Sequence, residues 1–191
     1  IRHYTTWKIS CWQALHYAVE LADHGHLPTT CRDRWGRERQ RIHAWVEAHC
    51  WSEALQAYQF YPDSGQLDAS IALAVRFGYP ERERLGSTLE AVQRELGRGA
   101  FHFRYSQVDL EEGCFLACTF WMVEAWALLG QQARAEQAFE QAVEGLGRGV
   151  GIYSEMVDPD EGHYLGNLPQ GLTHLSLIRA ARAIGGDKAT R

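Results

Sequence analysis

The apolar residues of this chain recur with helical rather than strand spacing. From Gly113 to Leu129, GCFLACTFWMVEAWALL is apolar on nearly every side, the pattern of a helix buried all round. Gly130 then serves as a helix stop. In the following QQARAEQAFEQAVEGLG, residues Ala135, Ala138, Phe139, Ala142, Val143 and Leu146 form one stripe, with Glu and Gln opposite. A buried helix is thus followed by a half-exposed one. Upstream, LDASIALAVRFG is short and mostly apolar as far as Arg76. After YPERERLGS, Ser87 is placed to cap TLEAVQREL, whose stripe is Leu89, Val92 and Leu96. TTWKISCWQALHYAVELADHG predicts a long helix from Thr5 or Thr6. RDRWGRERQRIHAWVEAHC predicts another, with Trp35, Ile42, Trp45 and Val46 facing inward. A last helix runs from about Leu172 to Ile184 and stops at Gly185-Gly186. Val, Ile and Thr nowhere alternate for long, so no sheet of more than two short strands is expected.

Buried helices alternating with amphipathic ones imply two concentric layers. The expected fold class is all-α, an α/α toroid or an arc of one, with about seven helices in inner/outer hairpins and Phe115 to Leu128 the most buried segment. The absence of a repeat in identity argues against a solenoid. In such a ring the loops at one end of the inner helices converge on a central pocket. The stretch from Gly151 to His174, GIYSEMVDPDEGHYLGNLPQGLTH, has no sustained period and lies between two helical segments, the mark of a working loop. An arc of a ring also leaves apolar helix flanks uncovered, so the rest of the ring, a second copy or aggregation is expected to cover them.

Composition narrows the partners. A hydrophobic fraction of 46% suits a soluble globular domain. The net charge of −5, with arginines and acids interspersed, gives no basic stripe for nucleic acid. No apolar run is long enough to cross a membrane, and the amino terminus shows no signal pattern. The five cysteines are an odd number, and Cys11, Cys114 and Cys118 sit among apolar helical residues. They read as buried free thiols in a reducing cytoplasm. Cys114 and Cys118 lack a matching second pair, and His3, His16, His43, His49 and His174 supply no metal-ligand spacing, so no metal or other cofactor is expected. Seven Trp and eight Tyr suit a large core, and also stacking walls for sugars and bases; taken alone, the composition favours the core.

Four blocks, in order along nearly the whole chain, carry a resemblance. RHYTTWKISCWQALHYAVELA, QLDASIALAVRFGY, EEGCFLACTFWMVEAWALLG and YSEMVDPDEGHYLGNLPQGLTHLSLIRAA together resemble glycoside hydrolase family 15, the family of glucoamylases, glucodextranases and bacterial trehalases. The resemblance implies part of an (α/α)6 toroid, with the missing amino-terminal half of the same domain or a second copy as partner, and inverting hydrolysis of α-glucosidic bonds at a non-reducing end. In the family the glutamate of the SE pair before the DP turn is the general base, and the matching residue is Glu155. An inverting glycosidase holds a water with one carboxylate while an opposed acid protonates the leaving oxygen. The two carboxyl groups stand about 6.5–9.5 Å apart.

Arg104, in FHFRYSQ, matches the arginine of the family's Arg-Tyr pair that binds glucosyl hydroxyls, and a guanidinium fork can hold two hydroxyls at once. Glu112 either complements the amino end of the buried helix or lines the pocket. Asp68 reads as an N-cap rather than a ligand. Asn167 and Gln170 in GNLPQ line the pocket or serve the turn, and His174 reads as a structural hydrogen-bonder. The family's general acid belongs to a WE-x-R-G-like block just before HYT. That block, with the first helices of the ring, is expected upstream of Ile1, which would leave this chain inactive alone. The segment from Arg104 to Glu111 is shorter than the family's usual one, which would alter the pocket rim. The implied partner is an α-glucoside oligosaccharide or disaccharide. The alternative is a catalytically incomplete relative acting as a sugar- or protein-binding helical module.

Overall fold

The computed structural model describes residues 2–108, 112–147 and 149–186. Seven α-helices occur among them: α1 (Thr5–Asp23), α2 (Arg32–His49), α3 (Leu73–Arg76), α4 (Arg82–Leu96), α5 (Leu116–Leu128), α6 (Gln132–Gly145) and α7 (Gly171–Gly185). Helices α1, α3, α5 and α7 form one layer in which each touches the next. Helices α2, α4 and α6 pack outside it, each against the helix before it. The alternation in the sequence therefore corresponds to an inner and an outer layer. Ten of the thirteen residues of α5 are buried, as its all-round apolarity requires. Its one carboxylate, Glu124, is buried too. It pairs with Arg76 of α3 at 3.4 Å and with Arg179 of α7 at 3.1 Å, tying three inner helices together.

Three sequence expectations need correction. Helix α4 begins at Arg82, so Ser87 lies inside it, and its hydroxyl donates to the Gln56 carbonyl at 2.6 Å. The residues before Ser87 are themselves helix-compatible, and the first turn closes from Leu85 N–H to the Glu81 carbonyl. Cys11 is exposed, because it falls on the outer flank of α1, while Cys50, Cys114 and Cys118 are buried. The third concerns strands, which occur in two-residue pieces.

Strands β1 (Trp51–Ser52) and β2 (Ala57–Tyr58) pair, as do β3 (Gly97–Arg98) and β4 (Phe101–His102). Strands β5 (Cys114–Phe115), β6 (Met156–Val157) and β7 (Tyr164–Leu165) form an antiparallel sheet in the order β5-β6-β7, one strand more than expected. Two residues per strand are too few for alternation to register in a sequence. This sheet matters for function because it sews the irregular loop to the start of α5. Gly113 permits the approach, since a Cβ there would stand 2.6 Å from the Val157 carbonyl oxygen.

Candidate active site

An open cavity of about 700 Å³ lies where the amino ends of α1, α5 and α7 meet the segments around Asp68 and Arg104. Its wall is a run of aromatic faces. Tyr4 contacts Trp7 and Phe60, each with ring centroids 4.8 Å apart, and Phe60 stacks on Tyr105 at 5.3 Å. Trp121 of α5 and Leu172 of α7 also face the cavity. The sequence pattern did not single out Tyr4, Trp7 or Trp121. No periodic signal marks them, because the wall is assembled from separate segments of the chain.

Arg104 lies on this wall. Its guanidinium covers the Tyr105 ring at 5.1 Å and the Phe115 ring at 5.6 Å. One nitrogen donates to Glu112 Oε1 at 2.5 Å. Among the described residues, Arg104 Nε and Glu112 Oε2 are buried without a hydrogen-bond partner. The structure thus brings Arg104 and Glu112 together and gives Glu112 a definite task, holding the guanidinium. Main-chain bonds position the arginine: Ala69 N–H donates to the Arg104 carbonyl at 2.9 Å, and Asp68 bridges to Tyr105. The expected short rim between Arg104 and Glu111 includes residues 109–111, which lie outside the described residues.

Asp68 caps the 3-10 turn Ala69–Ala72 by accepting from Ser70 N–H at 2.9 Å, the capping role expected of it. It also accepts from the hydroxyls of Ser70 at 2.6 Å and Thr6 at 3.2 Å, and it reaches the cavity wall. Burial pushes its carboxyl above the usual range, and the Ser70 and Thr6 bonds oppose that shift.

Glu155 stands at the residue before β6, outside the lining of the Arg104 cavity. Its carbonyl accepts from Leu116 N–H at 3.1 Å, and its own N–H donates to the Asn167 carbonyl at 2.9 Å. The loop backbone is therefore clamped to the first residue of α5. The carboxylate is clamped as well: Oε2 accepts from Asn167 N–H at 3.2 Å and from Asn167 Nδ2 at 2.8 Å. Among the described residues no hydrogen bond reaches Oε1. Gly166, with φ +72°, makes the room, since a Cβ there would lie 2.9 Å from Glu155 Oε2. The neighbouring acid Asp158 is held below the usual carboxylate range by bonds from the Glu161 and Asp160 amides, a turn role.

The remaining loop residues act locally. Gln170 caps α7 by accepting from Leu172 N–H at 3.3 Å. His174 Nδ1 donates to the Gln170 carbonyl at 2.7 Å, and its Nε2 accepts from Tyr153 N–H at 3.2 Å, which is the structural role expected of it. Thr173 donates to the Ser154 carbonyl at 2.8 Å, so α7 also fixes the peptide before Glu155. Among the described residues no helix is long and apolar enough to cross a membrane.

Comparison with known proteins places these features in a family. The family described as Glycosyl hydrolases family 15 matches residues 2–135. The trehalase of Mycobacterium tuberculosis is 32% identical over 187 residues, covering 94% of this chain and 27% of the relative. The trehalase of Mycolicibacterium smegmatis is 34% identical, covering 94% of this chain and 28% of that protein. The chain therefore spans less than a third of the length of either relative. Among solved structures, a wild-type glycosidase superposes with a TM-score of 0.81 at 16% identity, covering 96% of this chain and 52% of that one. A variant glycosidase in complex with glucose matches with the same score, identity and coverage. The fold is that of part of an (α/α)6 toroid, with the inner and outer layers described above. By the extent of the family match and the order of its sequence blocks, this chain belongs to glycosyl hydrolase family 15.

Proposed function

We propose that this chain is the base-bearing part of a longer inverting α-glucoside hydrolase, and that its substrate is trehalose. The observation that carries the reading is the Arg104 wall, where a guanidinium whose Nε is unpartnered among the described residues sits among aromatic faces in an open cavity. Sugars are bound by this pairing of apolar ring faces with fixed donors. The similarity to trehalases supports the choice of trehalose over malto- or isomaltooligosaccharides.

In this mechanism Arg104 binds hydroxyls of the glucosyl unit, and Glu112 orients it. Glu155, ionised and held through Oε2 by Asn167, uses Oε1 to take a proton from water. The oxygen of that water bonds to the anomeric carbon as the glycosidic C–O bond breaks. The leaving oxygen takes its proton from an acid supplied by the amino-terminal part of the domain. Inversion follows because water and leaving group occupy opposite faces of the sugar.

A second reading, a sugar-binding module without hydrolysis, is favoured by one observation: Glu155 does not line the Arg104 cavity. Hydrolysis and binding by the complete protein separate the two. Incubation with trehalose, maltose and isomaltose, followed by NMR of the released anomers, is expected to show cleavage of trehalose with inversion. Binding without cleavage would establish the module. Cleavage with retention would remove Glu155 from the role of base to water.

A further inference from the structure

We propose that a cavity between α4, α5 and α6 is a second hydroxyl-binding site, in which one ligand oxygen accepts from Trp126 Nε1–H and donates to His102 Nδ1. Among the described residues neither atom has a hydrogen-bond partner, and both are buried, in residues 2% and 3% exposed. Both residues line the same cavity of about 190 Å³, which shares no residue with the Arg104 cavity. Their rings are 6.0 Å apart.

The two atoms are complementary. Indole nitrogen is only a donor. His102 Nε2 pairs with Gln93 Oε1 at 2.9 Å, so Nε2 carries the hydrogen and Nδ1 keeps a lone pair. Burial first, and the Arg134 charge second, bring the imidazole down to about 4, so the ring is neutral near pH 7. The His102 main chain is anchored by donation from its N–H to Thr119 Oγ1 at 3.0 Å. The Trp126 ring is pinned by the Arg134 guanidinium at 4.2 Å, and Glu90 in turn pairs with Arg134. One donor and one acceptor, on two anchored residues that line the same cavity, match a hydroxyl oxygen, which accepts and donates at once. Gln137 and Gln141 of α6 add amides to the lining. Stable dry cavities are apolar, and this one is not; its volume holds a few waters or one small polyol.

The test is crystallography of the full chain grown without polyols, before and after a glycerol soak, for the native protein and Trp126→Phe. The expected result is an oxygen within about 3.2 Å of both atoms, lost in Trp126→Phe. Glycerol density continuous with that oxygen after the soak identifies a polyol site, and an undisplaced oxygen identifies a water. A dry cavity would overturn the proposal, as would an oxygen that keeps its place in Trp126→Phe. Should that variant fail to fold, nitrogen NMR of the native protein decides. A neutral Nε2–H tautomer of His102 with a hydrogen-bonded Nδ1 is expected, and an Nδ1–H tautomer would overturn the site.

Discussion

Arg104 and Glu112 are joined at 2.5 Å, yet Arg104 Nε and Glu112 Oε2 are buried with no hydrogen-bond partner among the described residues. A fully satisfied pair would be a structural strut. This one has hydrogen-bonding capacity left over beside an aromatic cavity. Replacing Arg104 by Ala in the complete enzyme is expected to lower kcat/KM by about 10- to 100-fold, the loss of a charge-assisted bond. Glu112→Gln, which keeps the shape but frees the guanidinium, should give a smaller loss expressed mainly in KM. Steady-state kinetics of both variants checks this, and equal, negligible effects would return the pair to a structural role.

The Glu155 carboxylate predicts a different signature. Glu155→Gln can still meet Asn167 but cannot take a proton from water. General-base loss costs about 10²–10⁴-fold in rate, with substrate affinity little changed. Rapid-mixing and equilibrium binding measurements on the complete enzyme separate the two quantities. Full activity in the variant would remove Glu155 from the mechanism.

Gly166 offers a test of positioning without touching a carboxylate. An alanine there meets the backbone penalty of φ +72° and crowds Glu155 Oε2 and the Glu155 Cβ, which a new Cβ would approach to 2.9 and 3.0 Å. Gly166→Ala is expected to lower kcat by roughly tenfold or more, as small misplacements at reacting groups do, with a smaller effect on KM. A kcat equal to that of the native enzyme would show that this close approach does not set the base.

His102 makes stability depend on acid. Its folded pKa of about 4 lies below the ordinary value of 6.5, so the unfolded chain binds more protons between those limits. The contribution is fully present above pH 6.5 and is lost as pH falls toward 4, amounting to at most about 3 kcal/mol. Urea unfolding across that range should show the decline, and His102→Gln should flatten it. An identical pH slope in the variant would assign the acid sensitivity elsewhere.

The outer flanks of the terminal inner helices predict self-association. On α1 Tyr17 and Leu21 are 43% and 42% exposed, and on α7 Leu175 and Ile178 are 62% and 53% exposed. Sedimentation of the chain alone is expected to show dimers or larger species, reduced by Leu21→Gln combined with Leu175→Gln. A monodisperse monomer would count against the view that these flanks meet the rest of a ring.

Much of the fold was determined by local pattern. All-round apolarity marked α5 as buried, one-sided stripes marked α4 and α6 as outer, and glycines marked the stops, because helical period and turn chemistry act between residues close in sequence. The SE pair, the FHFRYSQ block and their resemblance to a family were legible for the same reason: each is a short run. What touches what was not. That Glu112 holds Arg104, that Asn167 grips Glu155, and that Gly166 clears the space are relations across turns and strands of two residues, which leave no period behind. Ser87 shows the limit from the other side. Its capping chemistry was real, but a helix that closed a turn earlier gave its hydroxyl to Gln56, thirty-one residues away. Local propensity set which segments became helices, whereas long-range packing and hydrogen bonding decided which polar atoms would meet across them.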